Sequence, residues 1–102
     1  MSKIDLKSQI EFSQEKYISK ILFDSDKVRM VLFCLGKGQE VPAHTVESQV
    51  VMVVLTGKGL FIVGDKTYTA KQDTVVICKS NEAHGMKAEE QMAVLACIIP
   101  RP

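Results

Sequence analysis

The sequence predicts an all-β fold of the sandwich or barrel type, and three observations predict it. The apolar runs are short and rich in valine and isoleucine, as in GLFIV and TVVIC. Side chains branched at Cβ are held poorly by a helix and packed well by a sheet. Glycine-bearing turns punctuate these runs at Gly36-Lys37-Gly38, Thr56-Gly57-Lys58-Gly59 and Gly64-Asp65. Helix signals are nearly absent, the best being a short turn at Ser13-Gln14-Glu15-Lys16.

Read in order, the runs give strands at Tyr17–Phe23, Lys27–Leu35, Val41–Val46, Gln49–Leu55, Gly59–Val63, Lys66–Ala70, Thr74–Cys78, His84–Ala88 and Met92–Ile99. Gly64-Asp65, between FIV and KTYTA, suits a tight hairpin. Many short strands with regular turns specify a sandwich or barrel. Parity then orients the strands, because successive side chains alternate between faces. In KVRMVLFCL the charges of Lys27 and Arg29 share one face, which places Val28, Met30, Leu32 and Cys34 on the inward one. The run QVVMVVL is apolar on both faces. A strand with water on one side should alternate, so the outer face of this one is also expected to be covered.

The 102 residues form one domain in this reading, with 1–16 as an N-terminal segment and 17–100 as the β-rich body. Thirteen basic and 12 acidic residues leave a net charge of +1, mixed along the chain. That balance offers nucleic acid no electrostatic footprint. No segment approaches the roughly 20 apolar residues that span a bilayer, and the N-terminus carries no apolar stretch of signal-peptide length. Cys34, Cys78 and Cys97 are odd in number and each sits in an apolar run. They read as reduced, buried thiols of a cytoplasmic protein.

The chemistry concentrates around the two histidines, His44 and His84. Gly38 is followed by five residues and then His44, and Gly57 closes the stretch. Asp73, Lys79, Asn81 and His84 follow downstream. In this order and spacing the chain resembles the small single-domain cupins, whose first motif is G-x5-H-x-H-x3,4-E-x6-G and whose second is G-x5-P-x-G-x2-H-x3-N. The resemblance runs from Val28 to Pro100. It implies a double-stranded β-helix, the jelly-roll barrel. The second histidine position falls on Val46 and the glutamate position on Val50 or Val51, with Gln49 the nearest polar residue. In the second motif Asp73, Lys79 and Asn81 stand at the glycine, proline and glycine positions and Ala88 at the asparagine. Asn81 is a workable substitute where a positive φ is needed.

In that family the motif histidines and glutamate hold a divalent metal inside the barrel. Two of the four ligands, His44 and His84, are kept here. Val46 shares the parity of His44 and offers no donor, while Gln49 offers only an amide oxygen. The candidate metal set is therefore His44, Gln49 and His84, for a divalent transition metal such as zinc, manganese, nickel or iron. The plainer alternative is two polar side chains in a pocket, bonded to each other or to water. The expected ligand pocket comprises Met30, Cys34, His44, Val46, Gln49, His84 and Met86. The sulfur side chains read as filler of an irregular space rather than as ligands of a soft ion.

Three functional readings follow. The first is a small-molecule-binding or sensing protein with an interior pocket. The second is a divalent-metal-dependent enzyme of dioxygenase or isomerase type, as the family implies, with no catalytic residue assignable. The third is an interaction protein with a vestigial pocket. Two missing ligands favour the first over the second. The doubly apolar run Gln49–Leu55 adds the expectation of a homodimer, a use of the sheet face that the resemblance also implies.

Overall fold

The computed structural model describes residues 3–102; Met1 and Ser2, the first residues of the expected N-terminal segment, lie outside the described residues. Strands β1 (Ile18–Asp24), β2 (Arg29–Leu35), β3 (Glu40–His44), β4 (Gln49–Thr56), β5 (Lys58–Val63), β6 (Lys66–Lys71), β7 (Val75–Cys78), β8 (His84–Ala88) and β9 (Met92–Ile99) follow the nine runs expected from the sequence. Two antiparallel sheets result, a five-stranded one in the order β1-β2-β9-β4-β7 and a four-stranded one in the order β3-β8-β5-β6. They close on each other as the jelly roll. Among the described residues no helix is long and apolar enough to cross a membrane.

The glycine turns do two different jobs. Gly64-Asp65 closes a two-residue hairpin, with Val63 opposite Lys66. The turns at Gly36–Gly38 and Gly57 instead carry the chain from the five-stranded sheet to the four-stranded one. Gly57 has φ +78°, and a Cβ there would lie 1.8 Å from the carbonyl oxygen of Gln91. No other residue fits that corner.

The short turn expected at Ser13–Lys16 is a bend over residues 14–16, and the one described helix, α1 (Leu6–Gln9), is a single turn that lies upstream of it. Ser13 Oγ accepts from the Glu15 amide at 3.3 Å, and the Ser13 carbonyl accepts from Gln39 Nε2 at 2.7 Å. These bonds hold the backbone in a non-helical path. Gln39 also accepts from the Gly36 amide at 2.7 Å, so one side chain staples the N-terminal segment to the β2–β3 turn.

The interior between the sheets is filled by Phe61, Leu35, Met92, Val54 and Val94, all fully buried. Removing a buried side chain as large as Phe61 costs about 3–5 kcal/mol. The parity expected for β2 is reversed. Val31, Phe33 and Leu35 face the interior side, while Leu32 and Cys34 pack outside the barrel in a second cluster with Ala93, beneath Ile10, Phe12, Ile18, Leu22 and Leu55. Met30 shares the outer parity of Leu32 and Cys34. The charges that set the expectation belong to the start of the strand. Arg29 bonds Asp24 through Nε and Nη2 at 3.3 and 3.1 Å, at the barrel's rim, and so marks an end rather than a face.

Asp24 also accepts from Arg101 at 2.6 and 3.1 Å, tying β1 to the C-terminal residues. The guanidinium of Arg101, and then that of Arg29, holds the Asp24 carboxyl down to about 2, below its ordinary 3.8. The unfolded chain therefore binds this proton more readily than the folded one. The stabilisation is complete above about 3.8 and is lost as the pH falls toward about 2. Thermal unfolding followed from pH 6 to pH 2 should show a shallower acid decline for Asp24→Asn than for the parent chain. Identical acid limbs would mean that the cluster contributes nothing to stability.

Candidate ligand-binding site

The two histidines meet because an edge strand bulges. β3 pairs with β8 so that Val41 faces Met86 and His44 faces His84, with a register shift between the two pairs. Three residues of β3 thus span two of β8, and the extra residue returns His44 to the same side as Val41. Pro42 sits in this stretch, which an edge strand tolerates because it lacks one ladder neighbour. The close approach also needs Gly85: a Cβ there would meet the Ala43 nitrogen at 2.8 Å and the Val41 oxygen at 2.9 Å. The imidazole centroids lie 4.4 Å apart with planes inclined by 53°.

Each ring is oriented by a main-chain carbonyl. His44 Nδ1 lies 3.1 Å from the Pro42 oxygen, and His84 Nδ1 lies 3.3 Å from the Glu82 oxygen. A carbonyl only accepts, so Nδ1 carries the proton in the neutral ring and Nε2 keeps its lone pair. His84 is 7% exposed and His44 is exposed at the mouth. Burial pushes the His84 pKa below its ordinary 6.5, with the neighbouring His44 adding to the shift against the opposing effect of the Glu82 carbonyl.

Beneath the imidazoles lies a cavity of about 490 Å³ counted to its open mouth, and about 70 Å³ of it admits the centre of a water molecule. The second figure leaves room for several waters or a comparably small ligand. β4 and β9 supply its floor through Val50, Met52, Ala96 and Ile98, and β2 supplies Phe33. Val41 and Met86 form the wall below the histidines, and Val46 closes one side. The rim is pinned by the loop before β8: the Asn81 amide donates to the Val46 carbonyl at 2.8 Å, and Ser80 Oγ donates to the Glu47 carbonyl.

Of the residues expected in the pocket, the structure brings together His44, Val46, His84 and Met86. Met30 and Cys34 lie across the sheet, for the reversed parity of β2 described above. Gln49 is exposed and stands opposite Ile99, with the outward parity in β4. Its amide therefore does not join the histidines as a ligand. The inward neighbour is Val50, so the glutamate position of the first motif is occupied by an aliphatic group. Phe33, Val50, Met52, Ala96 and Ile98 escaped the sequence reading. The alternation within VVMVV, anchored on the exposed Gln49, was the signal for Val50 and Met52. Cys78 is fully buried, and burial, with the charge of Glu82 adding, pushes its thiol up to about 11. It is no nucleophile.

The Cupin domain family profile matches residues 31–99. Protein TT1209 of Thermus thermophilus is 26% identical over the whole of both chains, with a TM-score of 0.95. An RmlC-like cupin protein of Desulfovibrio desulfuricans is 29% identical, covering 98% of this chain and 97% of the other, with a TM-score of 0.90. A predicted oxalate decarboxylase of Thermotoga maritima is 20% identical over 83% of this chain and 81% of the other, with a TM-score of 0.77, and so shares the fold. No protein of curated function matches significantly.

The divalent metal common among such barrels finds an incomplete donor set here. Among the described residues no group of three or more His, Cys, Asp or Glu side chains is placed to hold a metal ion. Two neutral imidazoles fall short of the three protein ligands that a catalytic zinc keeps. Val46 lines the cavity beside His44 and His84, so Val46→His should raise zinc or nickel affinity by about tenfold or more through a third imidazole. Unchanged calorimetric titrations would show that the backbone no longer aims that position at a common centre.

A second expectation concerns pH. Because the folded pKa of His84 is lowered, the unfolded chain takes up this proton more readily. Stability should hold above the ordinary value of 6.5 and decline as the pH falls below it. His84→Gln should flatten the change in melting temperature between about pH 7 and pH 5. An undiminished slope in that variant would place the titrating group elsewhere.

Proposed function

We propose that the chain, which belongs to the cupin family, is a small-molecule-binding protein that senses its ligand, a compact and largely apolar molecule with one polar or anionic group. One observation carries this reading: a pair of carbonyl-oriented imidazoles stands over an otherwise aliphatic and aromatic cavity. The apolar floor contributes affinity by burial, and the two Nε2 atoms set orientation by binding the ligand's polar end. Burial of His84 favours its neutral form, in which Nε2 accepts a hydrogen bond from a hydroxyl or an undissociated acid. In its protonated form the same nitrogen donates to an anion. The limited space suits a small ligand. Three free cysteines support a reducing, cytoplasmic setting.

The alternative of a metal-dependent enzyme draws on the same anchored imidazoles, since a carbonyl at Nδ1 is how many proteins fix a ligating histidine. It lacks the carboxylate. Native mass spectrometry and elemental analysis of freshly purified protein separate the two. The expected result is a retained organic molecule, released on denaturation, with metal well below one ion per chain. His44→Ala and His84→Ala should each weaken its retention by about tenfold. One tightly held metal ion per chain with no organic partner would overturn the reading in favour of the enzyme. An empty protein that binds none of a panel of small carboxylic acids and alcohols would favour a vestigial pocket.

A further inference from the structure

The residues that follow β9 read Pro100-Arg101-Pro102. Each proline fixes its own φ, and Arg101 is pushed toward an extended conformation because a proline follows it. Such a tripeptide is stiff, so its position is set by where it is anchored. Arg101 is also its one residue with a backbone N–H to donate.

Three anchors hold it. The buried Ser48, in the loop between β3 and β4, donates through Oγ to the Pro100 carbonyl. The Arg101 amide donates to the Lys27 carbonyl at 3.1 Å, in the turn between β1 and β2. The Arg101 guanidinium grips Asp24 at 2.6 and 3.1 Å. These bonds carry Pro102 to the cavity, which it lines together with His44, Val46 and Ile98. Pro102 is itself exposed, so the edge it supplies belongs to the mouth and not to the floor.

We propose that residues 100–102 are a strap over the mouth of the cavity, that the Asp24–Arg101 pair is its catch, and that release of the catch opens the way to His84. The inference rests on the reading of the cavity as a ligand site and adds how a ligand enters it. All three strap residues are exposed, so lifting them uncovers little apolar surface, as in other segments that open locally. The catch is correspondingly weak. Both partners remain in contact with solvent, Arg101 40% and Asp24 30% exposed in their side chains, and a pair of that kind holds by a factor of about two to five. Asp24, with its pKa at about 2, stays ionised near neutrality. Salt, which screens exposed charges, is therefore the condition that loosens the catch.

The test reads access to His84 in the full chain and needs no ligand. Diethyl pyrocarbonate acylates neutral imidazole, and peptide mass spectrometry resolves the two histidines, the exposed His44 serving as reference in the same molecule. At about pH 7.5, His84 should react more slowly than His44. Arg101→Met, a change at an exposed site that leaves the Asp24–Arg29 pair in place, should speed His84 by about two- to fivefold and leave His44 unchanged. Ser48→Ala, which removes a different anchor, should act in the same direction. Raising salt from about 0.05 to 0.5 M should speed His84 in the parent chain and add nothing in Arg101→Met. A His84 rate indifferent to both substitutions and to salt would overturn the strap, as would equal acceleration of both histidines, the mark of general loosening. Because no ligand is read, the strap can fail while the cavity still retains a small molecule, and a protein that retains none can still show the catch.

Discussion

Strand β9 must be covered twice. It lies between β2 and β4 at the middle of its sheet, and its side chains are apolar on both faces: Met92, Val94, Ala96 and Ile98 on one, Ala93, Leu95, Cys97 and Ile99 on the other. A barrel of this size has only one interior, and that interior satisfies the first set alone. The second set explains the N-terminal segment, which spends Ile10 and Phe12 on the outer face instead of adding a strand. It explains the staple made by Gln39, whose two hydrogen bonds hold that segment down. It also explains why the coverage is partial, since one short segment roofs one corner of a five-stranded sheet.

The strands were legible because β-branched runs and glycine turns are local signals. What alternation alone could not settle was which face of a doubly apolar strand turns inward. In β2 the tie was broken by Lys27 and Arg29, and it was broken the wrong way. Arg29 is outside the core because its strand ends there, where Asp24 waits for it. The error moved Met30 and Cys34 into the pocket and kept Phe33 out. Gln49 misled for a related reason: it was the polar residue nearest the motif's glutamate position, yet a displacement of one residue reverses a side chain's face. His44 and His84 were legible as a pair because the family order of strands was. The bulge that aligns them was not, since a proline and an alanine give no local sign of an extra residue.

The motifs have come apart into a backbone part and a side-chain part, and only the first survives whole. Gly38, Gly57, Asp73 and Asn81 stand at the four glycine positions of the two motifs, and all four have positive φ, at 83°, 78°, 71° and 64°. Aspartate and asparagine are among the few residues that visit this region at modest cost. The turns that shape the cavity are therefore intact although two of the four are no longer glycine. The donor positions have gone a different way, to Val46 and Val50. The cavity therefore combines the turn geometry of the motifs with aliphatic side chains at two of their four donor positions.

The cavity and the open outer face are two sides of the same residues. Val50 and Met52 look inward from β4 while Val51 and Val53, their immediate neighbours, look outward. Ala96 and Ile98 alternate with Cys97 in β9 in the same way. Consecutive residues of a strand share peptide planes that do not bend, and interiors packed to crystal density transmit displacement instead of absorbing it. The floor is lined by small and medium side chains and lies in the best-paired part of its sheet, with β9 bonded on both sides. The cavity and the opposite surface are thus separated by a single layer of sheet.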